Sequence, residues 1–550
     1  MILAWLIIIL MAGGLLALMV GQWNKTLPRW IALYTLLAGF LGLVSLWIEN
    51  YSSETAWLVN YKAEWIPSFG ISFHLAIDGL SLILLTLTFF IGILAVLCSW
   101  REIQERVGFY HFNLLWILAG ITGVFMAMDL FLFYFFWEVM LIPMYFMIGI
   151  WGSENRVYAA YKFFIFTQAS GLLMFLAILG LYFVHGRNTG IYTYNYFELL
   201  GTVMPAGTAN WLMLGFLIAF IVKLPLVPFH SWLPDAHSEA PTAGSLILAA
   251  LLLKTGAYGI IRFALPLFPG AAVTWAPWLM LLGVIGIIYG AVLAFSQTDL
   301  KRLVAYTSVS HMGFVVLGIF AFNELALQGV VMQLVTHAIS TGALFLIAGM
   351  LKERLHTRNI DTMGGLWNAM PKMGVLGMLF AMASLGLPGL GNFIAEFLIL
   401  LGAFRANGWL TVIATLGLIF SAIYSLRIMQ KVFFGPSKKV EPVRDLTFRE
   451  MSILASLSIV ILWLGIYPQP VINTAKPMVK YIEKIFADES STGRSAQTEI
   501  DKAEKPVKVI SPFKSNVKRN TPGASKYLNL LMPEKTYAPT SSKKEIYVST

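Results

Sequence analysis

Four charged side chains stand where a chain this apolar has least reason to keep them. Glu138 lies in FLFYFFWEVMLIPMYF, Lys254 in LILAALLLKTGAYG, Glu396 in NFIAEFLIL, and Lys223 two residues before Pro225 in VKLPLVP. Burial in an apolar medium destabilises the charged form of a carboxyl or an amine. Both are thereby brought toward neutrality, where a proton can be exchanged. Lysine and glutamate side by side form a switchable pair: a near carboxylate holds the proton on the amine, and a carboxylate that moves or loses its charge lets it go. His311 in YTSVSHMGF and His337 in QLVTHAIS supply the side chain best suited to relay between such sites, beside Thr307, Ser308, Ser310 and Thr336. The simpler role is structural, with the charges pairing to lock helices together. Proton transfer is favoured because each charge placed inside a membrane costs at least ~2.5–3.5 kcal/mol.

The elements that must position these groups are set by composition. Of 550 residues 58% are hydrophobic and 12% charged, with a mean hydropathy of +0.75. That excess cannot be hidden in a water-soluble core, and many segments exceed the ~20 apolar residues that cross a bilayer. The runs predict fourteen spans, near 2–20, 30–48, 76–99, 111–128, 130–151, 162–184 and 210–229, then 243–266, 275–295, 306–322, 326–351, 373–403, 409–430 and 451–468. Ile2 to Val20 lacks the basic start and cleavage site of a secretory signal and is read as the first span. On this scheme Glu138 is roughly 12 Å into span five at 1.5 Å per residue, too deep for easy snorkelling. Loops after odd-numbered spans hold eighteen Lys and Arg, those after even-numbered spans four, which predicts odd loops in the cytoplasm and both termini outside.

Two spans carry breakers: Pro225 and Pro228 in the seventh, and Pro388, Gly389 and Gly391 in LGLPGLGN of the twelfth. Lipid cannot satisfy the backbone groups that such residues free, so the breaks are expected against protein or a wet cavity, where they can gate. They lie five spans apart and so run in opposite directions, as in an inverted repeat. The expected organisation is all-α and polytopic: three N-terminal spans (1–110), a first five-helix repeat (111–266), a second, inverted one (275–430), span fourteen (451–468), then a basic segment (474–550). That segment opens with a short interfacial amphipathic helix built on Met478, Ile482, Ile485 and Phe486. Its apolar islands Val509 to Phe513 and Tyr527 to Met532 suit either a disordered tail or a strap along a neighbouring subunit.

Several chemistries are excluded. The single cysteine, Cys98, permits neither a disulfide nor a thiolate-held iron–sulfur cluster within the chain and is read as a packing residue. No G-x-G-x-x-G or Walker pattern lies between a strand and a helix, so energy must come from an ion gradient or a partner. His230, Asp235 and His237 in HSWLPDAHSEAPTAG match no metal-ligand spacing and are expected to act as a coupling loop. Asp78 and Asp129 read as helix caps.

FFWEVMLIPMYF, VKLPLVPFHSWLPDAHSEAPTAGS, SQTDLKRLVAYTSVSHMGF and LPGLGNFIAEF together resemble the antiporter-like membrane subunits of proton-pumping NADH:quinone oxidoreductase, respiratory complex I. The resemblance runs over about residues 1–475, and Glu396, where relatives carry lysine, points to one branch of that family. It implies fourteen helices in two inverted repeats and a proton channel. Glu138 and Lys223 then form the glutamate–lysine pair of the first half, Lys254 with His311 and His337 the central relay, and Glu396 its terminal residue. It implies no cofactor in this chain, with flavin and iron–sulfur clusters in partner subunits, neighbouring antiporter-like subunits as partners, no nucleic acid, and a bacterial inner membrane. A multisubunit cation/proton antiporter or a membrane-bound hydrogenase uses similar motifs and is the alternative. The tail beyond about 485 departs from the family pattern.

Overall fold

The computed structural model describes residues 1–50, 55–436 and 443–503, with side chains as far as 487. Among them, thirteen helices are long and apolar enough to cross a bilayer. Six lead to the first break: α1 (Ile2–Val20), α2 (Leu27–Asn50), α3 (Gly79–Glu102), α4 (Val107–Val124), α5 (Leu130–Trp151) and α6 (Arg156–Thr189). The seventh span is α7 (Ala206–Lys223), a non-helical stretch over 224–231, and the short α8 (Trp232–Glu239). Then come α9 (Thr242–Leu267), α10 (Pro269–Ser296), α11 (Leu300–Ile319) and α12 (Glu324–Leu355). The twelfth predicted span is divided into α13 (Pro371–Ser384) and α14 (Gly391–Ala406), each too short to cross alone. The rest is α15 (Gly408–Phe433), α16 (Phe448–Ile466) and α17 (Gln469–Ala503).

Two helices are enclosed by the others along their whole apolar length, α9 and α12. A helix apolar on every side belongs in such an interior. Those two carry Lys254 and His337. Around them α10 and α11 pack at backbone distance, because a Cβ on Gly313 would lie 2.5 Å from the Gly283 carbonyl and 2.8 Å from the Ile287 amide. The outer helices α1, α2, α15 and α16 leave much of their surface apolar and exposed, as a lipid-facing wall requires.

Three features go beyond the sequence expectations. An antiparallel hairpin, β1 (Val59–Ile66) and β2 (Ile71–Ile77), follows α2; its β2 edge bonds to the turn before α5 through Ala76 N–H to Met126 O and Met128 N–H to His74 O, both 2.8 Å. α9 contains two π-helical turns, Leu248–Leu252 and Ile260–Ala264, on either side of Lys254. The amphipathic segment is a long helix, α17, where a short one is expected. It begins at Gln469, because the apolar face that docks it starts earlier, at Val471 and Ala475, and continues through Met478, Ile482 and Phe486. Docking is close: the Thr474 carbonyl occupies the place a Cβ on Gly79 would take, Trp47 Nε1 donates to Thr474 Oγ1 at 2.8 Å, and Phe486 stacks on Phe322 at 3.9 Å. The islands Val509 to Phe513 and Tyr527 to Met532 lie outside the described residues.

Candidate functional site: a buried polar chain

Lys254 is wholly buried on α9. Its Nζ donates to the Ala249 carbonyl at 2.6 Å and meets His337 Nδ1, on α12, at 2.7 Å. Ala249 belongs to a π-helical turn, where the looser backbone leaves a carbonyl within reach of the side chain five residues on. The His337 ring stands edge-on to His311 of α11, centroids 5.5 Å apart. His311 Nδ1 lies 3.0 Å from Glu396 Oε1 on α14, and its Nε2 lies 3.3 Å from both Ser384 Oγ and Tyr424 Oη. Gln333 Nε2, one turn before His337, donates to Glu396 Oε1 at 3.4 Å. Four helices thus bring Lys254, His337, His311 and Glu396, each 2% exposed or less, into one line.

The line is under-satisfied. His337 Nε2, Glu396 Oε2, Gln333 Oε1 and the hydroxyls of Thr336, Ser340 and Thr341 are buried without a protein partner. Residues 333, 336, 337, 340 and 341 form one stripe of α12, and buried groups of this kind are ordinarily satisfied by internal water. Ser384 ends α13 at the second break, and Gly389 beyond it has a φ of +94°, a conformation that favours glycine. Pro388 and Gly389 are exposed on the chain surface.

The surroundings of Glu138 and Lys223 are arranged differently. Glu138, half-buried on α5, has Gln168, Tyr134 and the Lys223 charge around its carboxylate. Lys223 ends α7 at the first break and is 1% exposed. No ion pair within 4.0 Å joins them; Lys223 Nζ lies over the Trp137 ring at 5.0 Å and the Phe163 ring at 5.8 Å, and neither Nζ nor Glu138 Oε1 has a hydrogen-bond partner. A cation held by aromatic faces is stabilised without being neutralised. Pro225 is buried in the break and Pro228 exposed, while Trp232 Nε1 donates to Val222 O at 2.9 Å, satisfying a carbonyl that the break leaves free.

The loop residues separate. Asp235 holds Lys162 and Arg302, each at 2.6 Å. His230 faces the Tyr289 ring. His237 is fully buried, stacked flat on Phe345 at 4.3 Å, with neither ring nitrogen bonded. Asp78 and Asp129 do cap helices: Asp78 Oδ1 accepts from Ser81 N at 2.8 Å, and Asp129 Oδ1 from Phe131 N at 3.0 Å. Each does more, since Asp78 also pairs with Arg262 and Asp129 Oδ2 accepts from Ser72 N at 2.9 Å. Arg262, one of the four cationic residues that the sequence assigns to even-numbered loops, is thereby buried within α9. Cys98 is half-buried, its Sγ 3.3 Å from the Ala95 carbonyl. Gln333, Ser384 and Tyr424 were not anticipated. Only Gln333 leaves a trace in the sequence, four residues before a histidine inside an apolar run.

Comparison with known proteins shows the family and the fold. Residues 127–421 match the family model for NADH:quinone oxidoreductase/Mrp antiporter transmembrane subunits. The chain is 53% identical over 507 residues to NADH-quinone oxidoreductase subunit M of Pseudomonas aeruginosa, covering 90% of this chain and 99% of that one. It is 50% identical to subunit M of Escherichia coli K12, covering 90% and 100%. Its fold superposes with a TM-score of 0.78 on a chain of respiratory complex I from Thermus thermophilus, at 32% identity over 87% of this chain and 99% of that one. A chain of the Mrp complex from Dietzia sp. has the same fold, with a TM-score of 0.77 at 20% identity, over 88% and 100%. With its buried lysine–histidine–glutamate line and identity over nearly the whole of these relatives, the chain belongs to the NADH-quinone oxidoreductase subunit M branch of the antiporter-like membrane-subunit family.

Proposed function

We propose that this polytopic membrane chain carries protons within a proton-translocating NADH:quinone oxidoreductase, driven by redox chemistry in other subunits. The observation that carries the reading is the line Lys254, His337, His311, Glu396. Adjacent members meet at hydrogen-bond or ring-contact distance across four helices, and Lys254 and His337 stand on the two most enclosed of the described spans. Neutral Lys254 accepts a proton and passes it to His337. Imidazole takes a proton on one nitrogen and gives one from the other, so His337 and His311 hand it on to Glu396. Glu138 and Lys223 load the line. Because Lys223 is held over Trp137 without a carboxylate against it, a small movement of α5 changes its charge environment without first breaking a salt bridge.

The two breaks, at Pro225–Pro228 and Pro388–Gly389, act as gates, and the two halves are related as inverted repeats. The exposed backbone around Pro388 and Gly389 supports a neighbouring antiporter-like subunit at that face, since lipid could not satisfy it. The eighteen cationic residues of the odd-numbered loops favour an orientation in a bacterial inner membrane with those loops inside and both termini outside. No cofactor is assigned to this chain; flavin and iron–sulfur clusters belong to partner subunits.

The test is proton uptake per NADH oxidised in proteoliposomes of the assembled complex, wild type against Lys254→Ala. Pumping is expected to fall by about tenfold or more at unchanged assembly. Undiminished pumping would leave the lysine a helix-pairing charge and overturn the reading.

A further inference from the structure

One buried cation has no place in that line. Lys301, in the first turn of α11, is 1% exposed. Its Nζ donates to the Ala240 carbonyl at 2.8 Å and to Ser245 Oγ at 3.2 Å, two neutral acceptors. No carboxylate lies within 4.0 Å among the described residues, although Glu102 and Asp299 are charged neighbours. Those carboxylates are engaged elsewhere. Glu102 Oε1 accepts from Thr242 N and Oγ1, each at 3.0 Å, and Asp299 Oδ2 pairs with Arg358 at 3.0 Å. A cation kept for structure alone would be expected against a carboxylate, because burying an ammonium unpaired costs several kcal/mol. Neutral acceptors suit a group that alternates: the amine can lose a proton without stranding an opposite charge, and still bond to the same carbonyl and hydroxyl.

Lys301 also connects in two directions. Inward, Ser245 Oγ bonds the His237 carbonyl at 2.9 Å, and the unbonded His237 ring has Lys301 and Lys254 as its charged neighbours. Outward, Lys301 and Lys352 share the field of Glu102. Lys352, whose Nζ donates to Ser153 Oγ at 2.6 Å, lines a cavity of about 700 Å³ with Ser153, Glu154, Arg156 and Arg358. This is the end of the molecule that carries the cationic odd-numbered loops.

We propose that Lys301 is the proton-loading residue of an access branch that runs from the cavity beside Lys352, past Glu102, and through His237 to Lys254. The branch rests on the relay reading above. One cycle moves one proton. The Lys301 ammonium gives a proton to the His237 ring across bridging water and becomes a neutral amine; His237, briefly imidazolium, gives its other proton to the neutral Lys254 amine; Lys301 is refilled with one proton from the cavity side. Lys254 then passes that proton to His337, which returns every station of the branch to its starting charge.

The experiment compares Lys301→Arg, Lys301→Met and Lys254→Ala in the whole complex in proteoliposomes, reading assembly by native gel and protons moved per NADH. Both Lys301 variants are expected to assemble and to pump about tenfold less than wild type. Arginine keeps the charge and both hydrogen bonds yet cannot release a proton. It therefore restores a structural cation but not a loading residue. Wild-type pumping by either variant overturns the proposal, as does failure of both to assemble. Impaired pumping in Lys254→Ala beside normal pumping in Lys301→Met removes the branch alone; normal pumping in Lys254→Ala removes the relay beneath it.

Discussion

Gly171 bears directly on the proposed loading pair, Glu138 and Lys223. A Cβ there would stand 2.8 Å from Glu138 Oε1, so alanine must turn the carboxylate away from its seat. Alanine also favours a helix by up to about 1 kcal/mol over glycine, so α6 itself is not harmed. Gly171→Ala should therefore leave assembly intact and cut proton transfer by about tenfold, through misplacement of one group; parallel assays of pumping and complex abundance check this. At this scale, Glu138, Lys223, Lys254 and Glu396 were legible because a charge in an apolar run is rare and costly. Ser384 and Tyr424 were not, since a serine or a tyrosine in such a run is ordinary and only its distance to His311 marks it. Lys301 escaped notice for another reason: it sits at the margin of an apolar run, where a lysine reads as a solvated loop residue, and only the closing of α8 and α9 over it makes it buried.

At the scale of elements, glycine lets α10 and α11 pack closely beside His311. Gly313 lies two residues after His311 and against α10, so a larger side chain first meets main-chain atoms of Gly283 and Ile287, with Ile287 Cγ1 close behind at 2.9 Å. Gly313→Val is expected to cost about 2–3 kcal/mol through overpacking. It should lower the amount of assembled complex on native gels, and draw His311 off Glu396 in whatever assembles; wild-type abundance would show that α10 and α11 can part freely. The spans themselves were legible from hydropathy, and the divided seventh and twelfth from their proline and glycine. The π-helical turns of α9 were not, because LILAALLLKTGAYG reads as regular helix; the wider turns lie against α7 and α12. The β1–β2 hairpin was missed as well, its two short strands being lost between long apolar runs.

The whole molecule has two unlike ends. One is a charge network about Asp235, Arg302, Arg358 and Glu239; the other is the hairpin, fastened through His74. His74 Nε2 donates to Asn60 Oδ1 at 2.8 Å and Nδ1 accepts from Asn195 Nδ2 at 3.2 Å, the neutral tautomer. Burial, and then the Lys62 charge, push its pKa down to about 4. The unfolded imidazole takes its proton first, near pH 6.5, so this stabilisation is complete above that pH and is lost as pH falls from 6.5 toward 4. Hydrogen exchange of the hairpin amides should report a loss of about 2 kcal/mol between pH 7 and 5. His74→Gln should abolish that dependence.

The sequence by itself determined the membrane solvent, most of the spans, the places of the two interruptions and the buried charged side chains, because hydropathy and the cost of a buried charge are local properties of a run of residues. Only the tertiary structure decided which groups meet. It joined Lys254 to His337 and His311 to Glu396, held Lys223 over an aromatic ring without a carboxylate in contact, and turned Lys301 from a loop cation into a buried one. Those outcomes depend on how helices distant in the chain close on one another, which no single run of residues records.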